Sequence, residues 1–260
     1  QILEMVVFNE EQDSTRAADL MAQGGAGCIV TLGGDGTNRA VAKGSGSVPL
    51  VPISTGTNNV FSQPVEGTVA GLAAGVVARG LVELDSVTTV HNILEVQIAR
   101  RPPEIALVDV AISTETFVGA RAIWDVRTLD EVFLARLVPG SIGLSAIGAL
   151  LAPSPMDDGS GLRLRIGQGG TSVIAPVAPG VISSVPVQSW APLLAGEPVE
   201  VSLHPCTIAL DGERTFSLLA GQAARITLSR KGPPVVSVEA ALRQASQAGV
   251  FTGEYVGNAG

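Results

Sequence analysis

Cys28-Ile29-Val30-Thr31-Leu32, followed at once by Gly33-Gly34-Asp35-Gly36-Thr37-Asn38, is the stretch on which the reading of this chain turns. The first five residues form a continuous apolar run, the signature of a strand buried on both faces of a parallel sheet. The residues after them make a Gly-rich turn, and a short helix through Arg39, Ala40, Val41 and Ala42 follows. A loop so placed lies at the carboxyl edge of an open α/β sheet, where such folds bind their ligands. Gly33, Gly34 and Gly36 carry no Cβ to keep a phosphate chain away from backbone N–H groups. The helix start adds a favourable partial charge for anions, and Thr37 adds a hydroxyl. Asp35 repels phosphate, so in this loop it serves either a Mg²⁺ ion or the proton of an attacking hydroxyl. Read alone, the same letters also fit a tight strand-to-helix turn with a capping Asp. The loop is neither a P-loop nor a dinucleotide fingerprint, because it lacks Gly-Lys-Ser/Thr and the third spaced glycine.

Outward from this loop, the first part of the chain alternates strand and helix. Ile2 to Phe8 reads as a strand, Asp13 or Ser14 as the cap of a helix burying Ala17, Leu20 and Met21, and Gly24-Gly25 as its stop. Leu50 to Ile53 reads as a third strand, and Val69, Leu72, Ala73, Val76 and Val77 follow helical spacing up to Gly80. This alternation predicts a doubly wound parallel sheet over residues 1–84. From 85 to 230 the pattern changes to short alternating strands, at 94–98, 162–166, 199–203 and 224–228, which predict a β-rich, sandwich-like second domain. Leu129 to Leu137 reads as a helix within it. Residues 231–260, with a helix over 238–248, are expected to return to the first domain. The fold class is therefore α/β plus all-β.

Composition narrows the function. Of 260 residues 46% are hydrophobic and only 3% aromatic, so the core is aliphatic, and the net charge of −8 lacks the basic clusters that nucleic-acid binding needs. The uncharged stretches 137–156 and 166–196 are interrupted by Pro, Gly and Ser, which argues against stable membrane insertion. Cys28 and Cys206 have no metal-ligand spacing; Cys28 reads as a buried thiol, and a reducing, cytoplasmic setting fits. No zinc site or other protein-held metal can be assembled, His91 and His204 read as structural, and no Gly-x-Ser-x-Gly elbow is present. The opening on Gln1 reads as the start of a fragment.

Two further polar edges accompany the first loop. Ser54-Thr55-Gly56-Thr57-Asn58-Asn59 ends a strand and should lie beside it, its hydroxyls and amides facing a ribose or base, or else capping a helix. Asp211-Gly212-Glu213 lies between two strand-like runs and is first of all a hairpin turn.

Together, Gly33-Gly34-Asp35-Gly36-Thr37 and Asp211-Gly212-Glu213 resemble the superfamily of NAD kinases and diacylglycerol-type lipid kinases. Ala106-Leu107-Val108-Asp109 is similar to the NAD kinase Ala-Leu-Asn-Glu strand, 139–148 to a shortened Gly-Ser-Thr-Ala-Tyr loop, and 175–180 to its late Pro-rich strand. The wording of 38–43 and 54–61 resembles the acetoin-catabolism protein X group, an ATP-NAD kinase-like branch. The resemblance covers most of the chain in order. It implies an NAD kinase-like fold and transfer of a γ-phosphoryl group from Mg²⁺-ATP to a hydroxyl of NAD or a related small molecule, possibilities that include a link to acetoin catabolism. It implies Asp35 as the base, with Gly33, Gly34, Gly36, Thr37, Asn38, Thr55, Gly56, Thr57, Asn58 and Asn59 on the nucleotide side. It implies Asp109, Ser141, Asp211 and Glu213 on the acceptor side, and a homodimer or homotetramer. Two departures fall on the acceptor side: Val108 and Asp109 replace Asn and Glu, and the Tyr of the later loop is missing. A nucleotide-binding regulator without catalysis and a lipid kinase are the alternative readings.

Overall fold

The computed structural model describes residues 2–115, 126–152 and 160–252. Its first sheet has the order β1-β2-β14-β3, from β1 (Ile29–Leu32), β2 (Leu50–Ile53), β3 (Thr88–Val90) and β14 (Pro234–Val236). β1, β2 and β14 run parallel, and β3 is antiparallel to β14. Helices α1 (Glu11–Gln23) and α2 (Asp35–Gly44) cover one face, where Ala18, Val41, Ile29 and Leu50 pack together. The other face carries α3 (Gly67–Ala78), the short α4 (Leu84–Val87) and the late helix α6 (Val238–Gln247), which bury Val51, Ile53 and Val236. The late strand β14 thus lies at the centre of this sheet, beside β2.

The rest of the described chain is mainly antiparallel. A four-stranded sheet has the order β10-β13-β4-β5, from β4 (Ile93–Ile98), β5 (Glu104–Ala106), β10 (Pro198–Glu200) and β13 (Ala224–Ser229). A six-stranded sheet has the order β12-β11-β6-β7-β8-β9. Its members are β6 (Asp109–Ser113), β7 (Leu129–Leu134), β8 (Gly161–Ala178), β9 (Val181–Leu193), β11 (Cys206–Leu210) and β12 (Arg214–Leu218), with helix α5 (Leu144–Leu151) packed on β8. Leu94, Val96 and Ile226 of one sheet meet Val110, Ile112 and Ile208 of the other in a shared aliphatic core. The mixed α/β first part and β-rich second part follow the class read from the sequence. No helix among the described residues is long and apolar enough to cross a membrane.

Three local expectations are corrected. Ile2 to Phe8 forms no strand, and Val6, Val7 and Phe8 stand exposed. Helix α1 begins earlier, after Glu10, with the Asp13 carboxylate accepting from the Glu10 and Phe8 N–H groups. It buries Ala18 and leaves Leu20 and Met21 exposed, because it lies against α2 through small residues. Leu129 to Leu134 is a central strand, not a helix. Glu131 breaks its apolar pattern, but is buried and pairs with Arg163 (2.7 Å) and Arg165 on the neighbouring strand β8.

The α1–α2 contact is closest at Gly44, where an added Cβ would overlap the Thr15 carbonyl oxygen and lie 3.0 Å from Asp19 N. These are backbone atoms and cannot step aside as a side chain can. Gly44→Ala should therefore lower stability by about 1–3 kcal/mol, seen as a lower urea midpoint with an unchanged m-value.

Cys28 is half-buried beneath α3 and Cys206 is buried in β11. Burial pushes both thiols up to about 11.

Candidate functional site

Strand β1 ends at Leu32 and α2 begins at Asp35, so Gly33 and Gly34 make the whole turn. The Gly33 N–H donates to the Ile53 carbonyl (3.0 Å) and ties the loop to the end of β2. Asn38 is fully buried, with its amide donating to the Gly34 carbonyl (2.8 Å) and its Oδ1 accepting from Thr31 Oγ1 (2.5 Å). Asn38 therefore shapes the loop from within, its side-chain amide committed to Gly34 and Thr31.

The chain after β2 returns over this loop. Ser54 N–H donates to the Gln63 carbonyl and Gln63 N–H to that of Pro52, closing a loop that presents its inner backbone to Asp35. The Asp35 carboxylate accepts from Val60 N–H (2.8 Å) on Oδ2, and from Phe61 N–H (2.9 Å) and Ser62 N–H (3.2 Å) on Oδ1. A carboxylate has about four acceptor positions, so one place on Oδ2 is left for a hydroxyl. Burial raises the Asp35 pKa, against the lowering influence of these N–H groups and of Arg136. A carboxylate held rigidly with an elevated pKa is suited to accept a proton.

Asp35 lines a cavity of about 70 Å³ with Asn58, Val60, Val108, Asp109 and Asp211. Asn58 Oδ1 and Asp109 Oδ1 are buried without hydrogen-bond partners, so both are open to a ligand's donors. Ile142 and Leu144 supply apolar wall; Ser141 does not line the cavity, since its hydroxyl is spent on the Val138 carbonyl (2.6 Å). On the other side of the loop a cavity of about 440 Å³ is lined by Gly36, Thr37, Arg39, Glu213 and Arg214. Glu213 sits directly against Gly36, where any Cβ would overlap its Oε2, and Asn59 Oδ1 approaches Gly34. The glycines thus make room for the protein's own polar side chains. Thr55, Gly56 and Thr57 are exposed at the tip of the second loop, while Asn59 donates to Ser54 Oγ (2.7 Å) and stiffens it.

The Asp-Gly turn joins β11 to β12, with positive φ at Asp211 (48°) and Gly212 (69°) as a tight hairpin turn requires. The Asp211 carboxylate is completely buried and accepts from the N–H groups of Leu107 (3.0 Å), Val108 (2.8 Å) and Asp109 (3.3 Å). It also lies 3.5 Å from Arg39 Nη1, which donates to the Leu210 carbonyl (3.0 Å). Arg39 continues to Glu11 (3.4 Å), and Arg214 joins Glu11 (3.0 Å) to Glu104 (2.9 Å). This network locks the α1–α2 layer to the hairpin. Sequence reading overlooked Arg39; a charged residue on the apolar stripe of a short helix was the available signal.

Asp109 is held well above the usual carboxylate range by burial first, then by Asp211 and Asp35. Burial likewise pushes Asp211 up to about 6. Groups with raised folded-state pKa take up protons on folding, so their contribution is fullest below the unfolded value near 4 and is lost as pH rises through the folded value. Stability should therefore fall as pH rises from about 4 through about 6, where Asp211 titrates, and Asp109→Asn should lessen the pH dependence, measured as urea midpoints at about pH 4 and about pH 7.

Among the described residues no three His, Cys, Asp or Glu side chains are placed to share a metal ion. Asp35 and Asp211 are taken up by backbone N–H groups, whereas the Glu213 carboxylate accepts no hydrogen bond among them. A Mg²⁺ ion carried on phosphates needs only one or two carboxylates, and Glu213 beside the Gly-rich loop fits that need.

The acetoin catabolism protein X C-terminal domain matches residues 92–231. A relative from Cupriavidus necator, acetoin catabolism protein X, is 38% identical over 254 residues, spanning 94% of this chain and 70% of its own length. The chain belongs to the acetoin catabolism protein X family. Its first part, residues 4–81, matches the ATP-NAD kinase N-terminal domain, so in this chain a kinase-like first part precedes the family's C-terminal domain. Among solved structures, yeast NADH kinase complexed with NADH aligns over 88% of this chain and 67% of its own, with 15% identity and a TM-score of 0.46.

Proposed function

We propose that the chain is a phosphotransferase, moving the γ-phosphoryl group of ATP to a hydroxyl on a small acceptor. The observation that carries this reading is Asp35 at the start of α2, fixed by three backbone N–H groups with one acceptor position open to a cavity. In this reading the nucleotide's phosphates enter the larger cavity and meet the Gly36 and Thr37 end of α2, where helix N–H groups favour anions. Mg²⁺, held by Glu213, would offset charge on those phosphates. Asp35 Oδ2 takes the proton of the acceptor hydroxyl, and Asn58 Oδ1 orients the acceptor through a second donor. Asp109 Oδ1, buried without a partner, faces a further polar group of the acceptor. Catalysis then rests on positioning and charge.

The acceptor cavity favours a small hydroxylated molecule over a dinucleotide, since about 70 Å³ is far below the roughly 300 Å³ at which drug-sized pockets begin. The name of the family and the apolar walls from Val108, Ile142 and Leu144 direct attention to short hydroxyketones such as acetoin; NAD remains the acceptor implied by the first half. The test is to incubate the full-length protein with Mg²⁺-ATP and either acceptor and follow phosphorylated product. ATP that binds tightly but is never turned over, with any hydroxyl offered, would overturn catalysis and leave a nucleotide sensor.

A further inference from the structure

The candidate site is ringed by carboxylates, yet the ligand proposed for it is a polyanion. Asp35, Asp109, Asp211 and Glu213 all border the two cavities. Of the arginines beside them, Arg39 is committed to Asp211, Glu11 and the Leu210 carbonyl, and Arg214 to Glu11 and Glu104. Arg136 differs. It follows Ala135, whose N–H donates to the carbonyl of the cavity residue Val108 (2.9 Å), and it and Asp35 shift each other's ionisation. It forms no ion pair within 4 Å among the described residues, and its Nη1 is buried without a hydrogen-bond partner.

The Phe61 ring and the Arg136 backbone position this guanidinium. It stacks over the Phe61 ring at 5.3 Å, and Phe61 is the residue whose N–H binds Asp35 Oδ1. The ring edge of His91 meets Phe61 at 5.9 Å, and burial together with Arg136 drives the His91 pKa down to about 4, so no second cation competes there. Ser145 Oγ donates to the Arg136 carbonyl (2.9 Å) and holds its backbone at the start of α5. A half-buried guanidinium with a buried, unused N–H is costly to keep unless something completes it. A planar guanidinium matches a phosphate through two parallel N–H donors.

We propose that Arg136 binds the phosphoryl group presented to Asp35, supplying the positive charge that the Gly-rich loop lacks. This rests on the phosphotransferase reading, and adds to it the residue that would stabilise the group in flight. Arg136 reaches the site from the second half of the chain, so the phosphoryl group would be held between the kinase-like half and the family's own half.

The experiment is calorimetric titration of the full-length protein with ATP and, separately, inorganic tripolyphosphate. Wild type is compared with Arg136→Met and with Arg136→Gln, which keeps a stem and one amide donor. Thermal unfolding of each variant is recorded alongside. Loss of a charge-assisted hydrogen bond should weaken both ligands about 10- to 100-fold, with Arg136→Lys recovering part of the loss. Wild-type affinity in a folded Met or Gln variant would overturn the assignment and leave the phosphotransferase reading standing. No binding of either polyphosphate by wild type would bring down both. Failure of both variants to fold would make the guanidinium a strut for Phe61 and also overturn it.

Discussion

Asp35→Asn is expected to cut phosphoryl transfer by about 10²- to 10⁴-fold, the range typical of losing a positioned general base. The amide has nearly the shape of the carboxylate, so the loop and α2 should stay in place. Two of the three backbone N–H groups, from Phe61 and Ser62, can still find its oxygen. The third, from Val60, would face an NH₂ and lose its acceptor. An unpaired buried N–H costs about 1–3 kcal/mol, so a modest fall in melting temperature should accompany the loss of rate. Nucleotide affinity should be retained or improved, because a negative charge beside the phosphates has gone. Initial rates and calorimetry on the same preparation separate these effects. Undiminished turnover would remove Asp35 from the chemistry and reduce it to the peg that holds the 60–62 backbone.

Asp211→Ala should be the most damaging substitution for the fold itself. The carboxylate gathers the N–H groups of Leu107, Val108 and Asp109 where β5 ends and β6 begins, and it faces the buried Arg39. Its removal strands both those donors and a guanidinium charge. Breaking a buried pair by removing one partner costs about 3–5 kcal/mol, a large share of the roughly 5–15 kcal/mol that holds a domain together. Asp211→Asn keeps an acceptor for the N–H groups and loses only the charge toward Arg39, so it should cost clearly less. Equilibrium urea unfolding of both variants tests the order. Equal loss in the two would mean that the ion pair, and not the backbone anchor, is what counts.

The readable parts of this fold were those encoded locally. An apolar strand, a Gly-rich turn and a helix at 28–44 announce a parallel sheet without reference to the rest of the chain, and Asp211-Gly212 announces its own hairpin. What stayed hidden depends on distant partners. Glu131 looks out of place in a strand until Arg163 and Arg165 arrive beside it from β8, which is why 129–137 read as helix. Arg39 is a helix residue by sequence, and its meaning lies at Leu210 and Asp211, more than 170 residues away. In the site, the Gly-rich loop and Glu213 were legible as motifs, and the structure brings them into contact. The reason for the glycines was not legible, because the group that needs their space belongs to another strand pair. Asn38 and Ser141 carry suitable functional groups, but spend them on their own loops.

The two thiols have a practical use. With Cys28 and Cys206 titrating at about 11, roughly one sulfur in ten thousand is thiolate at neutral pH. A maleimide dye would therefore pass over both and react with a cysteine introduced at Thr57, on the exposed tip of the loop that reaches back to Asp35. Fluorescence from that single position would report ligand arrival in real time, with the native cysteines left where they are.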